Sequence, residues 1–400
     1  MRTFHWIAVG SLLFVLGRAD LSCKDENGKD VDWFIALKIP NLKGKEYEAH
    51  SPHIRWGTAF FYADANNQDF HISAKDINDP KSAIGYTMQQ AIDNYKKKAK
   101  DTFTMFYNDQ HPGTKTVGGR AHSKGVLSIN GKQGFWVLHS APRFVDPEKP
   151  YEYPGPQRTY GQSFICGTFT ADQYAEISRQ MIVAHFSIYA KSAIPADIAS
   201  KTRFADVVTE KVTFRNTALK TKGGQWLRSY EKDSRYETDL YAGQIVPDHK
   251  KGMFVETWLN GQNPDWKNTC DPKLGVQNLR TISPGGVTWA SSNDHSKWAV
   301  TKEPGNGLHR RCEPTAHRGG GTLCIENPKI WKFFRDAVKQ VECCPSDKQE
   351  CEKPPTDSLD VPLNLDPLGK QGGLKRVVAL MMPKNKENSV VYSKQWNYLQ

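Results

Sequence analysis

Residues 119–126 read GRAHSKGV, and a weaker form of the same block, SNDHSKWAV, occupies residues 292–300. Downstream of each block come a glycine, small or polar residues, an aliphatic residue and a cysteine, in GQSFIC at residues 161–166 and GGGTLC at residues 319–324. Two similar blocks in the same order indicate an internal repeat. The repeat predicts a chain of two related halves, although the spacing between triplet and cysteine differs between them.

Outside the blocks, the pattern of apolar residues favours mixed α/β layers. Asn130-Gly131 separates two short apolar segments and is a strong hairpin signal. Buried strands are predicted at residues 31–38 (VDWFIALK), 56–62, 103–107, 125–129 and 134–139, and helices at residues 82–99 and 171–188.

The N-terminus is typical of a secretory signal peptide, which we assign to residues 1–19. A polar start that includes Arg2 precedes an apolar run at residues 6–17, which is too short to span a bilayer. Gly17 and Ala19 are small residues at the positions that a signal peptidase reads. The alternative is a buried N-terminal strand. No later segment reaches membrane-spanning length, so we expect no membrane anchor.

The repeat and the composition predict the domain organisation. Residues 20–170 form the first catalytic half and residues 171–345 the second. Residues 346–400 form a C-terminal tail, in which the segment from Lys370 onward carries six Lys or Arg and a single acid, Glu387. This composition favours a mobile basic extension over a strand pair that docks late.

The charge balance is strongly basic. The net charge is +11, and removal of Arg2 and Arg18 with the signal leaves +9. A basic surface suits an anionic polymer such as nucleic acid, or a membrane face. A soluble basic protein without such a partner is the alternative that charge alone leaves open.

The cysteines indicate an oxidising compartment. All eight follow the predicted signal, and none of them forms the paired CxxC spacing of a zinc ribbon. Structural disulfides are therefore expected, but the count alone does not decide the pairing. The eight are Cys23, Cys166, Cys270, Cys312, Cys324, Cys343, Cys344 and Cys351.

The chemistry of the two triplets points to a phosphodiester. On a strand, residues i and i+2 face the same side, so His122 would project with Lys124, and His295 with Lys297. Two such pairs across a pseudo-twofold axis would give two imidazoles and two ammonium groups. The lysines would neutralise the phosphate oxygens, one histidine would attack phosphorus, and the other would protonate the leaving oxygen and then activate water. This scheme needs no metal and no cofactor.

Two observations limit the strength of this assignment. A third His-x-Lys triplet begins at His249 and has no matching glycine block, so a single triplet means little. Both histidines of the repeat could also be structural, but packing does not explain a duplicated context.

Neighbouring ammonium groups disfavour a charged imidazole, so we expect an acidic pH optimum.

At these residues the chain resembles the deoxyribonuclease II family, which belongs to the wider phospholipase D-like superfamily. The resemblance extends from Cys23 to about Cys344. The similar strings are VDWF at residues 31–34, IGYTMQQ at 84–90, WVLHS at 136–140, YEYP at 151–154, YGQS at 160–163, HSKW at 295–298 and GGGTLC at 319–324.

The resemblance implies a fold, an activity and further residues. The fold would be a pseudo-dimeric α/β/α sandwich of two related halves. The activity would be metal-independent endonucleolytic hydrolysis of DNA at acid pH, leaving 3′-phosphates. His139 corresponds to a further family histidine. The implied disulfides are Cys23–Cys166, Cys270–Cys344 and Cys312–Cys324, with Cys343 open as an alternative to Cys344 and with Cys343 and Cys351 then able to pair.

One departure from the superfamily concerns how each imidazole is oriented. Superfamily members often place an acidic residue five positions after the lysine, where this chain has Ile129 and Lys302. A carboxylate often fixes the tautomer of a functional histidine, so the sequence leaves the orienting group of each triplet open.

Other functions of the same scaffold remain alternatives. One is a phospholipase D-like phosphodiesterase acting on lipid, against which stand the polar, basic composition and the lack of an evident amphipathic membrane helix. Another is a secreted DNA-binding or toxin-like member of the family. The expected location is lysosomal or secreted, and the oligomeric state and the identity of the nucleophile are left open.

Overall fold

A computed structural model describes residues 20–114, 119–205, 212–236, 238–257, 268–303 and 319–344, and the backbone of residues 351–352. The predicted signal peptide at residues 1–19 lies outside the described residues. So do Cys312 and, apart from residues 351–352, the predicted tail at residues 346–400.

Short strands and a few helices make up the described chain. In order, the strands are β1 (Cys23–Lys24), β2 (Asp30–Val31), β3 (Trp33–Lys38), β4 (Phe60–Asp64), β5 (His71–Ile72), β6 (Thr102–Tyr107), β7 (Gly125–Asn130), β8 (Gln133–His139), β9 (Gln162–Thr170), β10 (Ile188–Lys191), β11 (Phe214–Lys220), β12 (Trp226–Lys232), β13 (Met253–Glu256), β14 (Val276–Ile282), β15 (Trp289–Ala290), β16 (Trp298–Thr301), β17 (Gly320–Ile325), β18 (Val338–Glu342) and β19 (Cys351–Glu352). The α-helices are α1 (Lys45–Glu48), α2 (Ala83–Lys96), α3 (Tyr174–Ala184), α4 (Ala196–Ala199), α5 (Val246–His249) and α6 (Pro328–Asp336).

An eight-stranded sheet has the order β10-β6-β7-β8-β9-β3-β4-β5, with seven strands from the first half of the chain and the edge strand β10 from the second half. All of its neighbouring strands pair antiparallel. The Asn130-Gly131 signal is confirmed, because β7 and β8 pair from Gly125 opposite Leu138 to Ile129 opposite Gly134. This hairpin places the residues just before β7 beside the end of β8.

The second half builds two smaller sheets. One has the order β11-β12-β17, and the other β16-β13-β14-β18-β19 with β15 paired to β14. The pair β13–β14 is parallel, whereas β13 and β16 are antiparallel. The triplet at residues 295–297 immediately precedes β16, just as the triplet at residues 122–124 immediately precedes β7.

One hydrophobic core joins both halves. Strand β3 is buried on both faces, because Trp33 and Ile35 point into a core shared with Trp298 and Leu323 of the second half. Phe34 points into a second core that α2 covers. The mixed α/β class predicted from the sequence is confirmed.

Helix α2 shows how local sequence directs this packing. Ser82 caps it, its side chain accepting a hydrogen bond from Gly85 N–H at 3.0 Å. Ile84, Met88 and Ile92 lie on one face of the helix and are fully buried. Each such side chain contributes roughly 1.5–3 kcal/mol when it leaves water. The helix therefore fixes one face of the large sheet.

Three predicted elements were wrong in extent, one of them the helix predicted at residues 82–99, which ends at Lys96. The strand predicted at residues 56–62 begins only at Phe60, because Gly57 at φ 61° ends a short 3-10 turn and leaves Trp56 exposed. The helix predicted at residues 171–188 ends at Ala184, because His185 adopts a left-handed conformation with φ 56°. The chain then turns to pair as edge strand β10 with β6.

Two disulfides lie within the described residues. Cys23 bonds to Cys166 and Cys270 bonds to Cys344, which are the pairings that the resemblance implies. Cys324 is buried in β17, and Cys343 is also disulfide-bonded. No helix among the described residues has the length and apolar character needed to cross a bilayer.

The first disulfide closes a long loop, with a sequence separation of 143 residues. We expect a Cys23→Ala/Cys166→Ala variant to lose about 4 kcal/mol of unfolding free energy, because the unfolded chain regains loop entropy. Chemical denaturation measures this loss. The Cys270–Cys344 separation is 74 residues, so removing that pair should cost about 0.6 kcal/mol less. An unchanged midpoint in the first variant would contradict the prediction.

Candidate active site

The first triplet is organised by a buried carboxylate. Asp109 lies just beyond β6 and is 1% exposed in its side chain. It forms an ion pair with the fully buried Lys124 Nζ, and its Oδ2 lies 3.4 Å from His122 Nε2. His122 retains 17% exposure. Asp109 thus holds the histidine and the lysine of the first triplet on one acceptor.

The backbone of the first triplet is held by the second half of the chain. His122 N–H donates to Gly319 O at 3.0 Å, and Ala121 N–H donates to His185 O at 3.2 Å. Gly319 immediately precedes β17, and a Cβ there would lie 2.6 Å from Ala184 O. A glycine is required for this close approach.

The second triplet is oriented by a backbone carbonyl. His295 Nδ1 lies 3.1 Å from Ser140 O and 3.3 Å from Gln162 Oε1, and the residue is 6% exposed. Because a carbonyl oxygen can only accept, Nδ1 carries a proton. Nε2 is therefore the nitrogen of His295 that can exchange a proton or act as a nucleophile.

The backbone of the second triplet is held in turn by the first half. His295 N–H donates to Gly161 O, and Gly161 N–H donates to Asn293 O, both at 2.9 Å. Each histidine is therefore anchored by the glycine that opens the block of the opposite half. The glycine segment of each half thus binds the triplet of the other half.

Buried polar contacts surround the lysine of the second triplet. Lys297 is 2% exposed, and its Nζ donates to His295 O at 3.2 Å. Asp294 accepts hydrogen bonds from Ser296 N–H at 2.7 Å and from Trp289 Nε1 at 2.9 Å. Burial raises the pKa of the Asp294 carboxyl, although both hydrogen bonds oppose this.

The two triplets converge at the end of β8. His139 N–H donates to Lys124 O at 3.1 Å, which ties β8 to the first triplet. The next residue, Ser140, provides the carbonyl that holds His295 Nδ1. Two consecutive residues of one strand end therefore contact both triplets.

His139 occupies an aromatic environment. It is fully buried, with its ring stacked on Phe164 at a centroid distance of 5.8 Å and edge-on to Phe144 at 5.2 Å. Its backbone N–H contacts Lys124 O and so ties it to the first triplet.

Asp109 and Ser140 are the groups that sequence reasoning missed. Neither follows its triplet at the spacing that the superfamily uses. The available signal for Asp109 was an acidic residue two positions after the buried strand β6. For the Ser140 carbonyl there was no signal, since every residue has one. Among the described residues, no group of three or more His, Cys, Asp or Glu could hold a metal ion.

Comparison with known proteins finds a matching family and several relatives of this chain. The family model for Deoxyribonuclease II matches residues 22–344. Plancitoxin-1 of Acanthaster planci is 34% identical over 86% of this chain and 98% of its own length. Cell-death-related nuclease 7 of Caenorhabditis elegans is 32% identical over 86% and 93%, and human deoxyribonuclease-2-beta is 30% identical over 86% and 97%.

The buried ion pair allows a stability test. We expect Asp109→Asn to cost about 3 kcal/mol of unfolding free energy, because the Lys124 ammonium would lose its buried charge partner. Chemical denaturation measures the change. Asp93→Asn is the matched control, since it breaks the exposed pair with Lys97 and should change stability by less than about 0.5 kcal/mol. Equal losses in the two variants would contradict the prediction.

Proposed function

The chain belongs to the deoxyribonuclease II family, and from this premise we propose that it is a metal-independent acid endodeoxyribonuclease. It hydrolyses DNA phosphodiesters through a phosphohistidine intermediate and leaves 3′-phosphate ends. The observation that carries the proposal is the convergence of both His-Ser-Lys triplets at the end of β8.

The contacts of the two imidazoles support a division of roles. His295 faces a neutral carbonyl through Nδ1, which leaves Nε2 basic and suited to attack on phosphorus. His122 faces the Asp109 carboxylate, which favours a charged imidazole suited to donate a proton. We therefore assign His295 as the nucleophile and His122 as the general acid.

The reaction then runs in two balanced steps. His295 Nε2 forms a bond to phosphorus while the P–O5′ bond breaks, and His122 gives its proton to the leaving O5′. His122, now neutral, takes a proton from water as the water oxygen attacks phosphorus. The P–N bond breaks, and the product keeps a 3′-phosphate. Lys124 and Lys297 neutralise the charge that develops on the non-bridging oxygens.

The pH dependence follows from this division. Turnover needs one neutral and one charged imidazole, and free imidazole titrates near ~6.5. We expect a bell-shaped profile, whose two limbs report the coupled titration of both histidines.

His139, enclosed by aromatic rings, acts as a positioning residue for the first triplet through its bond to Lys124.

We infer the pseudo-dimeric α/β/α sandwich from the exchange of partners. Gly161 of the first half binds the second triplet, and Gly319 of the second half binds the first. Such reciprocity is what a pseudo-twofold axis between residues 20–170 and residues 171–345 would produce.

We propose a lysosomal or secreted location. The disulfides Cys23–Cys166 and Cys270–Cys344 fit an oxidising compartment, as does the signal predicted at residues 1–19. The basic net charge of +11 fits a DNA substrate, which is a polyanion.

A plasmid assay tests the substrate and the site. In the presence of a metal chelator at mildly acid pH, we expect the wild type to nick plasmid DNA. His122→Ala and His295→Ala should each lose about 10³-fold in rate, because each removes a group that transfers a proton or attacks phosphorus. His249→Ala, from the unmatched triplet, is the control and should keep full activity. Nicking that requires magnesium, or lipid hydrolysis without nicking, would overturn the proposal.

An activated substrate separates the two histidines. Thymidine 3′-(p-nitrophenyl phosphate) has a leaving group that departs without a proton. We expect His122→Ala to release about one equivalent of nitrophenolate in a burst and then stall, because water is not activated. His295→Ala should show no burst. The reverse pattern would exchange the two roles.

The product ends provide a further check. Nicked DNA should resist extension by a polymerase until a phosphatase removes the 3′-phosphate. Extension without phosphatase treatment would show 3′-hydroxyl ends and would exclude cleavage at O5′.

A further inference from the structure

Four lysines are buried among the described residues: Lys38, Lys124, Lys232 and Lys297. Two of them belong to the triplets. The other two, Lys38 and Lys232, are the last residues of β3 and β12. Burying an ammonium group costs several kcal/mol unless acceptors surround it. These two positions therefore call for a physical reason.

Lys38 has a complete set of acceptors. Its Nζ donates to Ile39 O at 3.0 Å, to Arg158 O at 2.8 Å and to Tyr160 O at 2.6 Å. An ammonium has three N–H groups, and three carbonyls receive them. The contacts fit the charged form, and they clamp the segment that leads into β9.

The clamp reaches the second triplet through one peptide group. Tyr160 C=O and Gly161 N–H belong to the same peptide unit, whose N–H donates to Asn293 O. An ammonium on the carbonyl oxygen polarises this unit and strengthens its N–H as a donor. Gly161 O then accepts from His295 N–H. Lys38 is thus one residue away from both bonds that fix the His295 backbone.

Charge supports the same link. Burial lowers the pKa of Lys38 well below its ordinary value. The negative charge of Asp294 acts to raise this pKa, and the positive charge of Arg158 acts to lower it further. A Cβ at Gly161 would overlap the Asp294 carboxylate, so that carboxylate packs directly on the clamped segment. The lysine and the residue before His295 therefore interact across the same glycine.

Lys232 occupies the matching position in the other half. Lys38 pairs with Gln162 and Lys232 pairs with Gly320, each one residue after the glycine that holds a triplet. Lys232 Nζ donates to Tyr236 O at 3.0 Å and to Asp233 O at 3.4 Å.

The loop that Lys232 holds supports the first triplet. Asp233 Oδ2 lies 3.1 Å from His185 Nδ1, and His185 O accepts from Ala121 N–H. Burial acts to raise the pKa of the Asp233 carboxyl, but hydrogen bonds from Arg235 and the nearby His185 together outweigh it and lower the pKa. The chain of contacts from Lys232 ends at the residue before His122.

We propose that Lys38 and Lys232 are a pair of positioning residues, Lys38 for His295 and Lys232 for His122. Each acts through the backbone of its half and does not touch the substrate. The catalytic consequence rests on the proposed function of the triplets, whereas the positioning itself does not.

A crossed experiment on full-length protein tests the pair. We expect Lys38→Met to speed amide hydrogen exchange at residues 293–297 by at least about tenfold, and Lys232→Met to do so at residues 121–124. Asp64→Asn is the matched control, because Asp64 is a buried charge that clamps the turn at Asn66 and Asn67. It should leave exchange at both triplets unchanged.

Kinetics supply the second measurement. Lys38→Met should lower kcat for plasmid nicking by about 10–100-fold with KM within about twofold. The substitution removes contacts that hold the His295 backbone in place and leaves the groups that bind the substrate unchanged. With the nitrophenyl substrate, Lys38→Met should weaken the burst, and Lys232→Met should slow only the turnover that follows it. If Lys38→Met fails to fold, Lys38→Gln retains two donors and takes its place.

The outcomes are distinguishable. Exchange that rises at both triplets in both variants, or at neither, overturns the positioning assignment, as does an unchanged kcat in Lys38→Met of an active enzyme. A wild type that does not cleave DNA, combined with the crossed exchange pattern, overturns the proposed function and supports the positioning of the two triplets.

Discussion

Each triplet histidine is anchored by a backbone carbonyl that belongs to the opposite half of the chain. His122 N–H binds Gly319 O, and His295 N–H binds Gly161 O. Backbone hydrogen bonds are directional, so each of them ties a triplet to a defined position on the main chain of the other half. Neither half completes its own site, because each triplet depends on a carbonyl of the other half.

Burial of charge is the second constraint on the site. Lys124 is fully enclosed beside Asp109, and Lys38 is fully enclosed among three carbonyls. Desolvated charges interact more strongly than exposed ones. They are also expensive unless fully paired. The fold therefore surrounds the site with acceptors supplied by strand ends and by the loops that follow them.

The relatives place these constraints in context. A toxin from Acanthaster planci and a cell-death-related nuclease from Caenorhabditis elegans share about a third of their residues with this chain over nearly their whole lengths. The two relatives carry different names but match the same chain over most of its length.

The sequence by itself determined the features that are local or repeated. The apolar run in VDWFIALK predicted β3, Asn130-Gly131 predicted the β7–β8 hairpin, and duplication identified both triplets, because each of these signals lies within a few residues. Only the tertiary structure decided which groups orient the histidines. Ser140 and His295 are 155 residues apart, and the contact uses a backbone carbonyl that every residue possesses. Lys38 and Asp109 likewise reach their partners only because strands pair. The pattern of apolar residues along the chain does not show which strands pair.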